Sequence, residues 1–497
     1  MNRKKLLAFN TMSSLLFQFT TIICGFVVPR LILLNYGSEV NGLINSITQF
    51  LALISFLELG VGAVIQSSLY KPLANKDDEE ISKIIVSGQK FFSRLAKILL
   101  GYLIILMGAY PLVAKSNFSF LYSATMILVI GISSFAQYYF GIINSLLLTA
   151  NQRGYFSYNI QTVILILNTI ACFVLIKFGA PIHIVKLSTS LIYLFRPLLL
   201  SMYTKRNYNI DWKIEYTEEP IKQKWNGIAQ HVASVVLNGT DNIVLTLFAD
   251  LSSVSVYSIY NMVTYGIRIL IVYITSGIEP LLGDLLARDE ITKLKSFFRY
   301  VERVIHTLSS YVFGIAAVMI VSFVKVYTIG IDDANYIQHM FAMLMILSNA
   351  GCCYRLPYNL MILASGHYKQ TQNNYIIAAI INIVLSIVLV SKFGLIGVSI
   401  GTLVAMFYQT IWMAAYVSKN IIFWPFKYFL KQIVIDALTF SLFIVIGQLI
   451  DINAMSWLSW TLEAVKVSII GLVLVITLNT LFYKSNLLKV LTILKSI

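Results

Sequence analysis

The chain has 497 residues, of which 58% are hydrophobic and only 12% charged, which places it outside the soluble globular proteins. Its 37 Lys and Arg against 22 Asp and Glu give a formal net charge of +15. That excess sits in short loops between apolar runs, where it sets topology and meets anionic headgroups, and this argues against a nucleic-acid binder.

Long apolar runs follow one another along the whole sequence, each able to supply the roughly 20 residues a spanning helix needs. The first covers 7–34. Met1–Lys5 ahead of it has the look of a signal peptide, but no small-residue cleavage site follows Ile22–Val28, so an uncleaved helix is expected, interrupted at Pro29 and Arg30. The second run, 40–69, holds Glu58-Leu-Gly-Val-Gly-Ala, whose small residues suit close helix packing; with no strand ahead of them they are not a phosphate-cradling loop. A charged connection, Tyr70–Lys90, precedes runs at 91–113, 118–148, 155–177 and 183–203, the last carrying Arg196.

A second charged connection, Thr204–Lys224, is the most linker-like stretch of the chain. Beyond it lie 226–249 with Asp241, 254–284 with Arg268 and Glu279, 301–325, 335–363 with Arg355, 370–391 and 395–418. Two further runs, 428–450 and 457–483, close the series, the latter with Glu463 and Lys466 spaced to pair on one helix face. If all fourteen runs span, the loops on one side carry five Lys and Arg and those on the other, with both termini, carry twenty-seven. Cytoplasmic segments are the Lys- and Arg-rich ones, so both termini are expected in the cytoplasm.

The two sides of the Thr204–Lys224 connection resemble each other. Lys177-Phe-Gly recurs as Lys392-Phe-Gly, and Asn144-Ser-Leu-Leu-Leu-Thr-Ala-Asn aligns with Asn359-Leu-Met-Ile-Leu-Ala-Ser-Gly. Val40 matches Val254, and Leu73-Ala matches Leu286-Ala, in the same order and at nearly the same offset. The expected fold is therefore an all-α polytopic membrane protein of about fourteen transmembrane helices: two parallel six-helix bundles and two C-terminal helices. The corresponding domains are residues 1–207, a cytoplasmic linker at 208–225, a second bundle at 226–420, and the added helices with a cytoplasmic tail at 421–497. Paired bundles of this kind bind cargo between the repeats and rock about it, which makes a transporter the first expectation.

Ionisable groups inside a span cost about 2.5–3.5 kcal/mol on insertion scales, so they usually face a cavity or a partner. Arg268 and Asp241 both fall near mid-membrane, either lining one cavity or forming a structural ion pair. Arg30, Arg355, Glu58 and Glu279 are further candidates; Arg30, Arg355 and Arg196 lie where snorkelling to the surface competes with a cavity role. The positions matching Arg268 and Asp241 in the first half, near Ile54 and Val27, are apolar, and Arg30 maps near Val244. Charges absent from the other copy point to the shared interface rather than to the fold of each bundle. A cavity rich in arginine attracts an anion, and guanidinium suits bidentate phosphate contact, so a phosphate or pyrophosphate cargo is inferred.

What is missing also bears on function. Cys24, Cys172, Cys352 and Cys353 lie in apolar runs at no metal-ligand spacing, and the five histidines form no metal-binding or nucleophilic constellation. No cofactor or metal is expected. No Walker A sequence is present. The outer loops are short, with only Asp332-Asp333 notable, which disfavours a membrane glycan enzyme.

The segment from Val27-Val-Pro-Arg through Gly37-Ser-Glu-Val-Asn-Gly to Leu57-Glu-Leu-Gly-Val-Gly-Ala resembles the start of a Wzx-type polysaccharide flippase of the MOP superfamily. Asp241-Asn-Ile-Val-Leu and Val254-Ser-Val-Tyr-Ser are similar to that family's second-repeat opening. The resemblance implies movement of an undecaprenyl-pyrophosphate-linked oligosaccharide across the bacterial cytoplasmic membrane by alternating access, without covalent chemistry. It implies that Arg268 and Arg30, supported by Arg355, hold the anionic head, with Asp241, Glu279 or Glu58 coupling an ion or balancing charge. Membrane lipids, a polysaccharide polymerase and assembly proteins are the implied partners. By the same resemblance, Arg30 and Arg268 match cavity arginines of lipid II flippases, while the second span offers Glu58 and no arginine. A lipid II or other cell-wall precursor flippase is the alternative, ahead of a cation-coupled drug exporter.

Overall fold

In hydrocarbon every backbone N–H and C=O must find its partner inside the chain, which leaves helices or closed barrels. A computed structural model describes residues 3–58, 60–114, 117–220, 228–275, 277–450 and 454–483, and its regular structure is helical throughout. Among the described residues ten segments are long and apolar enough to cross a membrane. The chain is a multi-pass membrane protein. Three of these segments, Phe120–Ala150, Leu251–Ala287 and Tyr368–Asn420, each contain more than one helix, so the ten do not map one-to-one onto the fourteen apolar runs.

The helices group into two units, Met1–Ser255 and Val256–Ile497. The first holds α1 (Arg3–Tyr36), α2 (Ser38–Ala52), α3 (Val61–Asn75), α4 (Asp78–Val113), α5 (Phe120–Ala136), α6 (Ile142–Ala150), α7 (Gly154–Lys177), α8 (Ile182–Asn207) and α9 (Ile228–Phe248). The first residues of α10 (Leu251–Thr275) complete it. The second unit holds the rest of α10, then α11 (Ile278–Ala287), α12 (Ile291–Tyr327), α13 (His339–Ala364), α14 (Tyr368–Phe393), α15 (Leu395–Asn420), α16 (Lys427–Leu449) and α17 (Trp457–Phe482).

In the first unit the expected span 40–69 is broken. A 3₁₀ turn, Leu53–Glu58, ends the first stretch, and Gly60 at φ 73° turns the chain into α3. Left-handed backbone of this kind favours glycine. The expected loop Tyr70–Lys90 is also corrected: α3 continues to Asn75 and α4 begins at Asp78. Asp77 caps α4 by accepting the Glu80 N–H at 3.0 Å, and the acidic run Asp78–Glu80 suits a helix N-terminus. Charge density alone made this stretch look like a loop.

Beneath these helix ends lies a cluster built from Val61, Ile65, Leu69, Ile84, Phe92 and Leu147, against which Tyr208 and Ile210 pack. The described part of the expected linker, 208–220, is non-helical but docked. Asn151 Nδ2 donates to the Tyr208 hydroxyl at 2.6 Å, Asp211 N donates to Ser82 Oγ at 3.1 Å, and Ser87 donates to Glu219. Lys90 sits 4.6 Å from the Tyr216 ring centroid. The remainder of the linker lies outside the described residues. Elsewhere in this unit α2 runs so close to the start of α10 that a Cβ on Gly42 would overlap the Leu251 carbonyl oxygen. Asn41 donates to Ser255 Oγ at 2.8 Å, and Ser46 and Thr246 share a 2.7 Å hydrogen bond.

In the second unit α12 is the hub, packed by α11, α13, α16 and α17. The fully buried Phe443 ring of α16 is wedged between Gly314 of α12 and Gly471 of α17, where any Cβ would collide with it. The C-terminal pair thus docks on the preceding helices through shape. Glu463 and Lys466 pair at 3.0 Å, as their spacing implies.

The four sequence matches fall on equivalent chain features. Lys177-Phe-Gly and Lys392-Phe-Gly end α7 and α14, with Gly179 at φ 72° and Gly394 at φ 52°. Ala150 and Ala364 end α6 and α13, while Lys76 and Asp289, both left-handed, follow α3 and α11. Val40 and Val254 lie buried in the first turns of α2 and α10.

Candidate functional site

Two of the arginines singled out in the sequence meet in the second unit. Arg268 on α10 follows Tyr265 by one turn, and its guanidinium lies 4.7 Å from that ring's centroid. Its Nη1 approaches Cys352 Sγ on α13 at 3.5 Å. Cys352 Sγ in turn lies 3.1 Å from Met406 Sδ on α15, and Arg355 Nη1 reaches the same Met406 sulfur at 3.9 Å. Cys352 and Arg355 are three residues apart on α13 and so share a face. The result is a pair of half-buried guanidinium groups on either side of a sulfur pair, contributed by α10, α13 and α15.

Thiols and thioethers are weak hydrogen-bond acceptors. Each sulfur contact is therefore weaker than a guanidinium's bond to an oxyanion. Among the described residues Arg355 makes no ion pair, while Tyr375 on α14 stands in its electrostatic neighbourhood. Arg268 and Arg355 thus bring two cationic side chains to one sulfur pair.

The other candidates are dispersed. Arg30 is half-buried on α1, immediately after Pro29, and Asp241 is buried on α9; both belong to the first unit, whereas Arg268 belongs to the second. Glu58 ends the 3₁₀ turn, with Tyr138 among its electrostatic neighbours. Glu279 sits in the first turn of α11, near Tyr368. Arg196 instead donates from Nη1 to Gln137 Oε1 at 2.8 Å, a structural tie from α8 to the π-helical turn Gln137–Gly141.

Sequence reading missed Cys352 and Met406 as the arginines' neighbours, noting of the cysteines only their apolar surroundings and lack of metal-ligand spacing. They are indeed buried and unpaired by disulfides. The i, i+3 spacing of Cys352 and Arg355 was the available signal; nothing in the sequence pointed to Met406. Also in the second unit is a cavity of about 460 Å³ at the ends of α11, α13 and α15, lined by Gly283, Ala364, His367 and Asn420 among others. It contains neither arginine. No group of three metal-ligating side chains occurs among the described residues.

No protein-family model and no curated protein matches the sequence. Solved structures do match the fold. A lipid II flippase, MurJ, in an inward closed conformation aligns over 95% of this chain and 99% of its own, with TM-score 0.72 and 14% identity. An inward-facing multidrug resistance MATE transporter of the MOP superfamily aligns over 80% of this chain and 95% of its own, with TM-score 0.59 and 14% identity. A MOP superfamily transporter from Pyrococcus furiosus, described as having a binding pocket of reversed polarity, aligns over 84% of this chain and 96% of its own at TM-score 0.58 and 12% identity. The protein therefore has the all-helical, multi-pass fold of these MOP superfamily flippases and transporters.

Proposed function

We propose that this protein is a flippase that moves undecaprenyl-pyrophosphate-linked polysaccharide repeat units across the bacterial cytoplasmic membrane by alternating access. The observation that carries this reading is the convergence of Arg268 and Arg355 on the Cys352–Met406 sulfur pair. Two guanidinium groups brought to one sulfur pair inside a membrane-spanning helical unit favour a multiply charged oxyanion over a cation, and a pyrophosphate offers enough oxygens to engage both. In this reading Arg30 supplies a third contact from the first repeat. Asp241, Glu279 and Glu58 balance the arginines or carry a coupling ion.

The topology that goes with it has fourteen spans as six, six and two, divided at the linker 208–225, with both termini in the cytoplasm. The lipid tail stays in the bilayer while the head crosses the protein, and no bond is made or broken. A polymerase and assembly proteins on the outer face would receive the product.

Lipid II is the second reading, favoured by the likeness to the lipid II flippase over nearly the whole of both chains. Both cargoes share the undecaprenyl pyrophosphate and differ in the head. Purified protein in liposomes, given fluorescent lipid-linked oligosaccharide in one set and fluorescent lipid II in another, separates the two. Faster transfer of the oligosaccharide supports the first reading, and faster transfer of lipid II replaces it with the second.

A further inference from the structure

A second polar cluster lies inside the second unit, apart from the arginine–sulfur pair. His306 on α12 is 0% exposed, and its Nδ1 lies 2.6 Å from Asp436 Oδ2 on α16. Asp436, 3% exposed, also accepts Ser310 Oγ at 2.9 Å and Gln432 Nε2 at 3.2 Å on its other oxygen. One turn before His306, Glu302 is 4% exposed and accepts the Tyr358 hydroxyl of α13 at 2.5 Å. His306 also stacks on Tyr354, with ring centroids 5.0 Å apart.

The charge balance of this cluster is open. Two buried carboxylates and one imidazole share it, and among the described residues its only ion pair is His306 with Asp436. Ionised carboxylates are costly in such surroundings unless compensated, so protons must supply the balance. The remaining nitrogen, His306 Nε2, is buried and has no hydrogen-bond partner. With Nδ1–H donated to Asp436, a neutral ring leaves Nε2 a bare acceptor, and a charged ring leaves it an unmet donor. Neither protonation state is fully satisfied, so neighbouring hydrogen bonds do not lock the ring into one of them.

Charged and titratable groups surround the cluster on α12 and the elements packed against it. On α12 itself Arg299 is an electrostatic neighbour of Glu302, and Arg303 lies 4.3 Å from the Tyr483 ring centroid. From α13 come Tyr354, Tyr358 and Cys353, from α16 Asp436 and Gln432, and from beyond α17 Tyr483, whose hydroxyl donates to Gln432 Oε1 at 2.6 Å. The acids of α11 are engaged elsewhere, Asp284 with Arg288 at 3.0 Å and Glu279 near Tyr368.

We propose that His306, Asp436 and Glu302 form a proton-binding site buried between α12, α13 and α16, with the exchangeable proton held at the His306 ring. Gaining the proton changes the charge between α12 and α16, the helix that carries Phe443 into the Gly314–Gly471 slot. The inference needs no assumption about cargo.

The test is ¹⁵N NMR of histidine-labelled full-length protein in lipid bilayers, from pH 5 to pH 8. To isolate one ring, His183, His231, His339 and His367 are replaced by Gln, leaving His306 alone. The proposal expects its nitrogen signals to convert between neutral and charged forms within that range. It expects the midpoint to fall by at least about one pH unit in Asp436→Asn, where the neighbouring anion is gone. Wild-type protein with all five histidines, compared with His306→Gln, gives the same answer by difference if the single-histidine variant does not fold. A His306 ring held in one form from pH 5 to pH 8, or a midpoint unmoved by Asp436→Asn, overturns the proposal and leaves a structural hydrogen bond.

Discussion

Arg268 Nη1 lies 3.5 Å from Cys352 Sγ. One turn further along α13, Arg355 reaches the same sulfur pair through Met406 at 3.9 Å. Both the thiol and the thioether are weak acceptors, so neither contact is a strong hydrogen bond.

If the arginines hold the anionic head, removing either should weaken cargo binding by the worth of a charged hydrogen bond, about 1.5–3 kcal/mol. Arg268→Ala and Arg355→Ala are each expected to lower apparent affinity by roughly 10- to 100-fold, the same energy expressed as a ratio. Arg268→Lys should recover only part of the loss, because a point charge cannot reproduce a bidentate contact. Cys352→Ala should leave binding nearly unchanged. A scintillation or fluorescence binding assay with undecaprenyl pyrophosphate checks all four variants.

Phe443 locks the C-terminal helices onto α12 by filling the slot between Gly314 and Gly471. Truncating a fully buried phenylalanine costs about 3–5 kcal/mol. Phe443→Ala is expected to lower the thermal unfolding midpoint in detergent clearly. Gly471→Val should do the same by overfilling the slot.

Gly42 brings α2 against the backbone of Leu251, and a carbonyl cannot swing away as a side-chain tip can. Gly42→Ala is expected to destabilise the first unit by at least about 1–3 kcal/mol. Reduced yield of folded protein and faster unfolding, both read by size-exclusion fluorescence, are the expected signs. Gly25→Ala, where nothing stands within 4 Å of the added carbon, is the control.

Tyr483, just past α17, is pushed up to about 12 by burial. Its folded value lies above the ordinary value of 10.0. The neutral phenol therefore contributes stability that is present below pH 10 and lost as pH rises toward 12. The wild type should lose thermal stability over that alkaline window, and Tyr483→Phe should lose less of it, as seen in unfolding midpoints at stepped pH.

Much of the fold was legible because hydrocarbon imposes a simple rule: long apolar runs become helices. The helix ends at Lys177-Phe-Gly and Lys392-Phe-Gly were legible for the same local reason, since each carries a glycine that takes left-handed backbone there. The break at Gly60 and the helical start at Asp78 were less accessible. Apolar runs do not reveal a 3₁₀ turn inside them, and a charged stretch reads as a loop even when Asp77 caps it into a helix. Arg268 and Arg355 stood out as charges in apolar surroundings. Their meeting at the Cys352–Met406 sulfur pair depends on the packing of three helices, which no spacing along the chain encodes. His306 and Asp436 lie 130 residues apart, so their contact left no local trace either.

The most direct measurement is flipping of a fluorescent undecaprenyl-pyrophosphate oligosaccharide in proteoliposomes, comparing wild type with Arg268→Ala at matched amounts of folded protein. The account predicts transfer by the wild type and a loss of roughly tenfold or more in the variant, as removal of a charged contact implies. Equal transfer by both proteins would contradict it, reducing Arg268 to a structural arginine, and no transfer by the wild type would remove lipid-linked oligosaccharide as the cargo.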